Sequence, residues 1–142
     1  MSDATDSDRI VSSGSSPARA PTGDGPRSGR FDVVLVATSA GGLAALSELL
    51  GGLPRDFPVP LVVVQHLDPR HESHMAEILD RRTPLAVRQA TQGVQPQPGH
   101  VYVAPPDHHL LVDPDGCLSL VRSELVHFVR PSADLLFESA AG

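Results

Sequence analysis

From Phe31 onward, two kinds of hydrophobic spacing alternate along the chain. Residues 33–37 (Val-Val-Leu-Val-Ala) form an unbroken aliphatic run, the pattern of a strand covered on both faces, and residues 61–65 repeat it. Between them Leu43, Leu46, Leu49 and Leu50 recur at helical spacing, with Glu48 outside and Gly51-Gly52 as a stop signal. Ser73 stands as the N-cap of a second helix running through Arg82, with Met75, Ile78 and Leu79 facing inward. Short strands are expected over 85–90 and 101–104, the latter placed between Pro98-Gly99 and Pro105-Pro106. Two further strands, 109–112 and 117–121, flank Asp113-Pro114-Asp115-Gly116, a hairpin signal. A last helix begins near Ser132, with Asp134 in its first turn and Leu135, Leu136 and Phe137 offered to the core.

Strands that alternate with helices and are apolar on both sides predict an α/β fold: a doubly wound, mainly parallel sheet with one antiparallel hairpin. The sequence stops just after the last helix with no strand following it, so the expectation is a domain incomplete at its C-terminus. Residues 1–30 read differently. Seven serines, four glycines and three prolines interrupt any apolar period, which predicts a disordered leader ahead of one domain over 31–142.

Charge and composition then remove whole classes of function. The four aspartates and four arginines of the leader cancel, so the net charge of −6 belongs to residues 31–142 and argues against a nucleic-acid partner. All eleven basic residues are arginine; without lysine there is no Walker-type phosphate loop, Schiff base or Ser–Lys dyad. One cysteine, Cys117, forms no internal disulfide and no all-cysteine zinc cage, and it is expected in a strand as a small core residue. The aliphatic runs fall far short of the ~20 residues that span a bilayer, and no apolar segment follows the amino terminus. The expectation is a cytoplasmic chain without membrane insertion.

Candidate chemistry concentrates at Ala37-Thr38-Ser39-Ala40-Gly41-Gly42, between the first strand and the first helix. Such a turn lifts a serine hydroxyl clear of the sheet, and the helix start supplies free N–H groups for an anionic intermediate, the Ala40 backbone N–H first among them. The same residues also fit a helix-capping serine or, less well, a nucleotide-binding loop, whose G-x-G-x-x-G spacing is absent. His66 ends the second strand, and in a right-handed β-α-β unit the carboxyl ends of neighbouring strands are adjacent, so His66 shares an edge with Ser39. An imidazole titrates near neutrality and can take a hydroxyl proton and return it; a loop histidine is the plainer reading. His71 and His74 are three apart but lack further ligands for zinc, and His108-His109 point to opposite faces of a strand, so no metal is expected. For an acid to orient His66 the candidates are Asp107, Asp68 and Asp134, and none stands in a persuasive position. Arg130-Pro131-Ser132 reads either as a helix start or as an arginine at the site rim.

Four blocks in order resemble the CheB-type protein-glutamate methylesterase domain: the segment around Ser39, Val63-Val64-Gln65-His66, residues 98–105 (Pro-Gly-His-Val-Tyr-Val-Ala-Pro), and residues 130–134 (Arg-Pro-Ser-Ala-Asp). The resemblance implies cytoplasmic hydrolysis of glutamate methyl esters on chemotaxis receptors, with deamidation of receptor glutamines in related enzymes, and no cofactor. It assigns Ser39 as nucleophile, His66 as general base and the Ala40 N–H to the oxyanion hole. Ala40 replaces the family's threonine. No phosphoacceptor receiver domain fits in 30 polar residues, so direct phosphorelay control is not expected of this chain. The family's catalytic aspartate, in a later glycine-rich loop that also carries an oxyanion donor, has no counterpart and is expected beyond residue 142. Loss of that acid alone costs about 10⁴ in turnover, and the missing donor a further ~10²-fold, so the chain by itself is expected to be a slow enzyme. The competing class is a catalytically inactive relative that binds receptors or signalling partners through the same cleft.

Overall fold

β2 (Leu61–Gln65) is buried along its whole length, because it is flanked by strands on both edges and covered on both faces. Its neighbours are β1 (Val34–Thr38) and β4 (His100–Val103), and β3 (Ala86–Gln89) pairs beyond β4; all run parallel, in the order β1-β2-β4-β3. The computed structural model describes residues 32–39, 41–66, 73–122 and 130–142; the leader expected over 1–30 lies outside them. Period-two alternation sorts the side chains of β2. Leu61 and Val63 pack with Leu46 and Leu50 of α1 (Gly42–Gly51) and with Met75 and Leu79 of α2 (Met75–Asp80). Val62 and Val64 pack on the opposite face with Leu110 of β5 (His109–Val112), Leu118 of β6 (Leu118–Val121) and Leu136 of α3 (Ala133–Ala141). Helices cover one face; the hairpin and α3 cover the other. The expected α/β class with a mainly parallel sheet is what the chain forms, and the hairpin makes a separate two-stranded sheet.

Five local expectations need correction. The aliphatic run at 33–37 is not fully covered: β1 pairs only with β2 among the described strands, is half-buried, and leaves Ala37 exposed. Ser73 is not the N-cap of α2; that position is His74, while Ser73 Oγ accepts the Met75 N–H at 3.3 Å one residue earlier. The same helix stops at Asp80 rather than Arg82, because the Arg82 N–H closes back on Leu79 O at 2.9 Å and the Asp80 carboxylate takes the Val87 N–H of β3 at 2.9 Å. Of the three apolar residues assigned to the core from α3, Leu136 is fully buried, Leu135 is half-buried and Phe137 is 40% exposed, since one step along a helix turns a side chain about 100° away. Cys117 precedes β6 instead of lying in it; it is half-buried, and its thiol donates to Gln95 Oε1 at 3.2 Å. Burial and the neighbouring Asp115 carboxylate push that thiol's pKa upward.

The hairpin and α3 are fastened by polar contacts that the sequence distributes over distant positions. Ser132 caps α3 as expected, accepting the Leu135 N–H at 3.4 Å, and its own N–H donates to the buried His109 Nδ1 at 3.1 Å. Ser139 Oγ accepts the Val112 N–H at 3.0 Å. Asp107, in the turn after β4, takes the Arg130 guanidinium through Nε at 2.8 Å and through a second N–H, while Arg122 reaches its other oxygen at 2.9 Å. The backbone of Asp107 has φ +61°, a conformation that Asp and Asn tolerate better than most residues.

The start of α1 depends on close approach. Gly41 occupies its N-cap position with φ +89°, and a Cβ on Gly42 would lie 2.5 Å from Thr38 Cβ and 2.7 Å from Thr38 Oγ1. Ala would ordinarily gain up to ~1 kcal/mol over Gly in a helix, but the overlap reverses the sign. Gly42→Ala lowers stability by about 1–3 kcal/mol, read as a lowered urea midpoint; a raised midpoint would show that α1 does not press on β1. A second expectation concerns pH. The hydrogen bond from Arg130, assisted by its charge and that of Arg122, holds the Asp107 carboxyl below the usual carboxylate range. A depressed native pKa gives stability that is present above the unfolded value near ~3.9 and lost as pH falls through the native one. Asp107→Asn keeps the backbone conformation accessible, so its urea midpoint lies below that of the parent at neutral pH, and the gap closes below about pH 4.

Candidate active site

The carboxyl ends of β1 and β2 finish level with each other. Thr38 pairs with Gln65, and the next backbone hydrogen bond runs from the His66 N–H to Thr38 O at 3.3 Å. Ser39 and His66 therefore leave adjacent parallel strands as neighbours, at the ~4.8 Å spacing of a sheet. Both are exposed. Ser39 also opens the turn into α1: its carbonyl accepts the Gly42 N–H at 3.0 Å, and α1 starts there with no side-chain cap. The first-turn N–H groups of α1 thus keep the partial positive charge of a helix start beside the serine. A hydroxyl, an imidazole and an uncapped helix end at one open sheet edge are the parts that acyl transfer uses.

The other sequence candidates are dispersed. Ala40, Asp68 and His71 lie outside the described residues. His74 sits at the exposed start of α2 with its Nδ1 3.7 Å from Glu77, and Asp134 is exposed in the first turn of α3. His108 is tied through Nδ1 to Pro106 O at 2.9 Å, whereas His109 is buried against α3. Among the described residues no group of three His, Cys, Asp or Glu side chains is gathered to hold a metal ion. Asp107 does reach the right edge of the sheet, because the Ala104 N–H donates to Val63 O at 2.9 Å and brings the turn after β4 beside β2. It is committed there to Arg130 and Arg122. Sequence reading weighed Asp107 and Arg130 separately; the structure makes them one ion pair, with Arg130 largely buried.

Two polar residues to which the sequence assigns no role lie directly before the candidates. Thr38 Oγ1 and Gln65 Oε1 are buried and make no hydrogen bond. The available signal was a polar side chain ending each of two aliphatic strands. A cavity of about 370 Å³, lined by Asp32, Val33, Pro60, Gln95, Val112 and Ser139 among others, opens at the amino end of the sheet and is remote from this edge. No helix among the described residues is long and apolar enough to cross a membrane.

Comparison with known proteins gives the family. The family described as CheB methylesterase matches residues 34–142. A protein-glutamate methylesterase/protein-glutamine glutaminase of Burkholderia lata is 44% identical over 117 residues, covering 82% of this chain and 35% of its own length. One from a group 3 operon of Pseudomonas putida is 43% identical over 112 residues, covering 79% of this chain and 33% of its own. The crystal structure of the Thermotoga maritima CheB methylesterase catalytic domain superposes with a TM-score of 0.73 at 36% identity, over 79% of this chain and 61% of that one. The chain thus spans about a third of the length of those two curated relatives. With the matched segment beginning at the first residue of β1 and including Ser39, His66 and the Asp107–Arg130 pair, the chain belongs to the CheB methylesterase family.

Proposed function

We propose that this chain carries the ester-cleaving edge of a protein-glutamate methylesterase. The observation that supports it is the placement of Ser39 and His66 on successive ends of paired parallel strands, at the start of an uncapped helix. In this reading Ser39 Oγ attacks the γ-carbonyl carbon of a glutamyl methyl ester while His66 takes the hydroxyl proton. The tetrahedral oxyanion forms against backbone N–H groups, that of Ala40 first. Collapse breaks the C–O bond to the methoxy group, which leaves as methanol with the proton from His66. Water, deprotonated by His66, then releases the free glutamate and restores Ser39. No cofactor enters these steps.

The substrate class is the methylated glutamates of chemotaxis receptors, with the matching receptor glutamines as targets of deamidation, and the site of action is the cytoplasm; the curated relatives, named as methylesterase/glutaminases, support this reading. The domain extends over residues 31–142 behind the leader. In this reading the acid that orients His66 lies beyond residue 142. A second reading is favoured by one observation: Asp107, the described carboxylate brought to this edge by β4, is already held by two arginines. It makes the chain a receptor-binding module without turnover.

Methanol release from methylated receptor helices separates the two. The esterase reading expects slow release by the parent chain and, once the chain is extended to the length of its relatives, a loss of at least about 10⁴-fold in Ser39→Ala. Release that Ser39→Ala leaves unchanged removes the serine from the mechanism. Receptor binding with no release, even when the chain is extended to the length of its relatives, supports the module instead.

A further inference from the structure

Thr38 Oγ1 and Gln65 Oε1 are complementary orphans. One is a hydroxyl that can donate, the other a carboxamide oxygen that can accept. Both are buried, both lack a partner, and they occupy the same position of the β1–β2 register. They also share a face. Leu61 and Val63 point towards α1 and α2, so period two sends Gln65 the same way, and Thr38 points there because it meets the start of α1 at Gly42. Leaving either atom unsatisfied in the interior is costly, whereas one hydrogen bond between them satisfies both. In-register neighbours on one face of a sheet lie side by side at the strand spacing, and the Gln65 side chain can rotate about its own bonds.

We propose that Thr38 and Gln65 are a positioning pair, in which the Thr38 hydroxyl donates to the Gln65 carboxamide oxygen and locks the strand ends that present Ser39 and His66. Thr38 precedes the serine and Gln65 precedes the histidine, so the bond ties together the two backbones at the residue before each exposed side chain. The backbone hydrogen bond at the exit of this pair, His66 N–H to Thr38 O, is long at 3.3 Å. A side-chain bond beside it fixes the separation and twist of the two exits. The inference builds on the esterase reading only in giving Ser39 the role of nucleophile.

The test uses the 142-residue chain and its Thr38→Val, Thr38→Ser, Gln65→Met and Thr38→Val/Gln65→Met variants, with two readouts. The first is the rate at which a fluorophosphonate labels Ser39, forming the Oγ–P bond, expelling fluoride and passing the hydroxyl proton to His66. The second is the pH titration of the His66 ring followed by NMR. Each single variant slows labelling by about 10-fold or more; the double variant is no slower than the slower single; Thr38→Ser labels at the parent rate. The double variant removes both orphans and recovers stability, so its labelling stays slow while its urea midpoint rises above those of the singles. Parent-rate labelling in either single variant, multiplicative losses in the double, or a slow Thr38→Ser overturns the proposal. If the parent chain itself resists labelling, the His66 titration decides: displacement in both single variants with recovery in Thr38→Ser supports the pair, and an unmoved titration refutes it. Should one single variant not fold, the other decides by the same criteria.

Discussion

Parallel pairing of β1 with β2, held in one register, is the constraint on which the site rests. Because side chains alternate along a strand, a slip of one residue would exchange the two faces of β2 and expose the packing of both clusters at once. Val62 and Val64 would then meet α1 and α2, and Leu61 and Val63 the hairpin. Two separate apolar layers therefore hold the register, and the register sets Ser39 beside His66. The hydrophobic core acts on the chemistry through geometry.

The same layering explains why the polar fastenings lie where they do. The face covered by α1 and α2 is closed mainly by leucine, valine and methionine, with Asp80 supplying a hydrogen bond to β3. The opposite face is closed by short strands and a nine-residue helix, with polar ties between them. His109, Ser132, Ser139 and the Asp107–Arg130 pair all join the hairpin or the turn before it to α3. Asp107 thereby serves the fold at the place where an acid would otherwise be sought for His66.

Much of this was readable in the sequence, for physical reasons that differ by element. The run at 61–65 announced itself because a doubly covered strand has no polar face, and Ser132 because a serine before an apolar helical period satisfies a helix start. The adjacency of Ser39 and His66 followed from strand-end geometry alone. What failed depended on tertiary neighbours. The run at 33–37 carries the same residues as an interior strand but has one strand neighbour among the described residues, and Phe137 carries the right hydrophobicity at the wrong helical angle. The pairing of Asp107 with Arg130 spans 23 positions, a separation that no local pattern encodes. Thr38 and Gln65 escaped notice because each looked like the polar end of its own strand, and only the register shows them opposite each other.

The most direct measurement is of the register at its last position, by interproton contacts in an NMR spectrum of the folded chain. In the folded chain the His66 amide proton contacts the backbone protons of Thr38 and Ser39. Contacts from that amide to Val36 and Ala37 instead would mean that the strands are slipped, that hydroxyl and imidazole do not share an edge, and that the functional reading built on them is wrong.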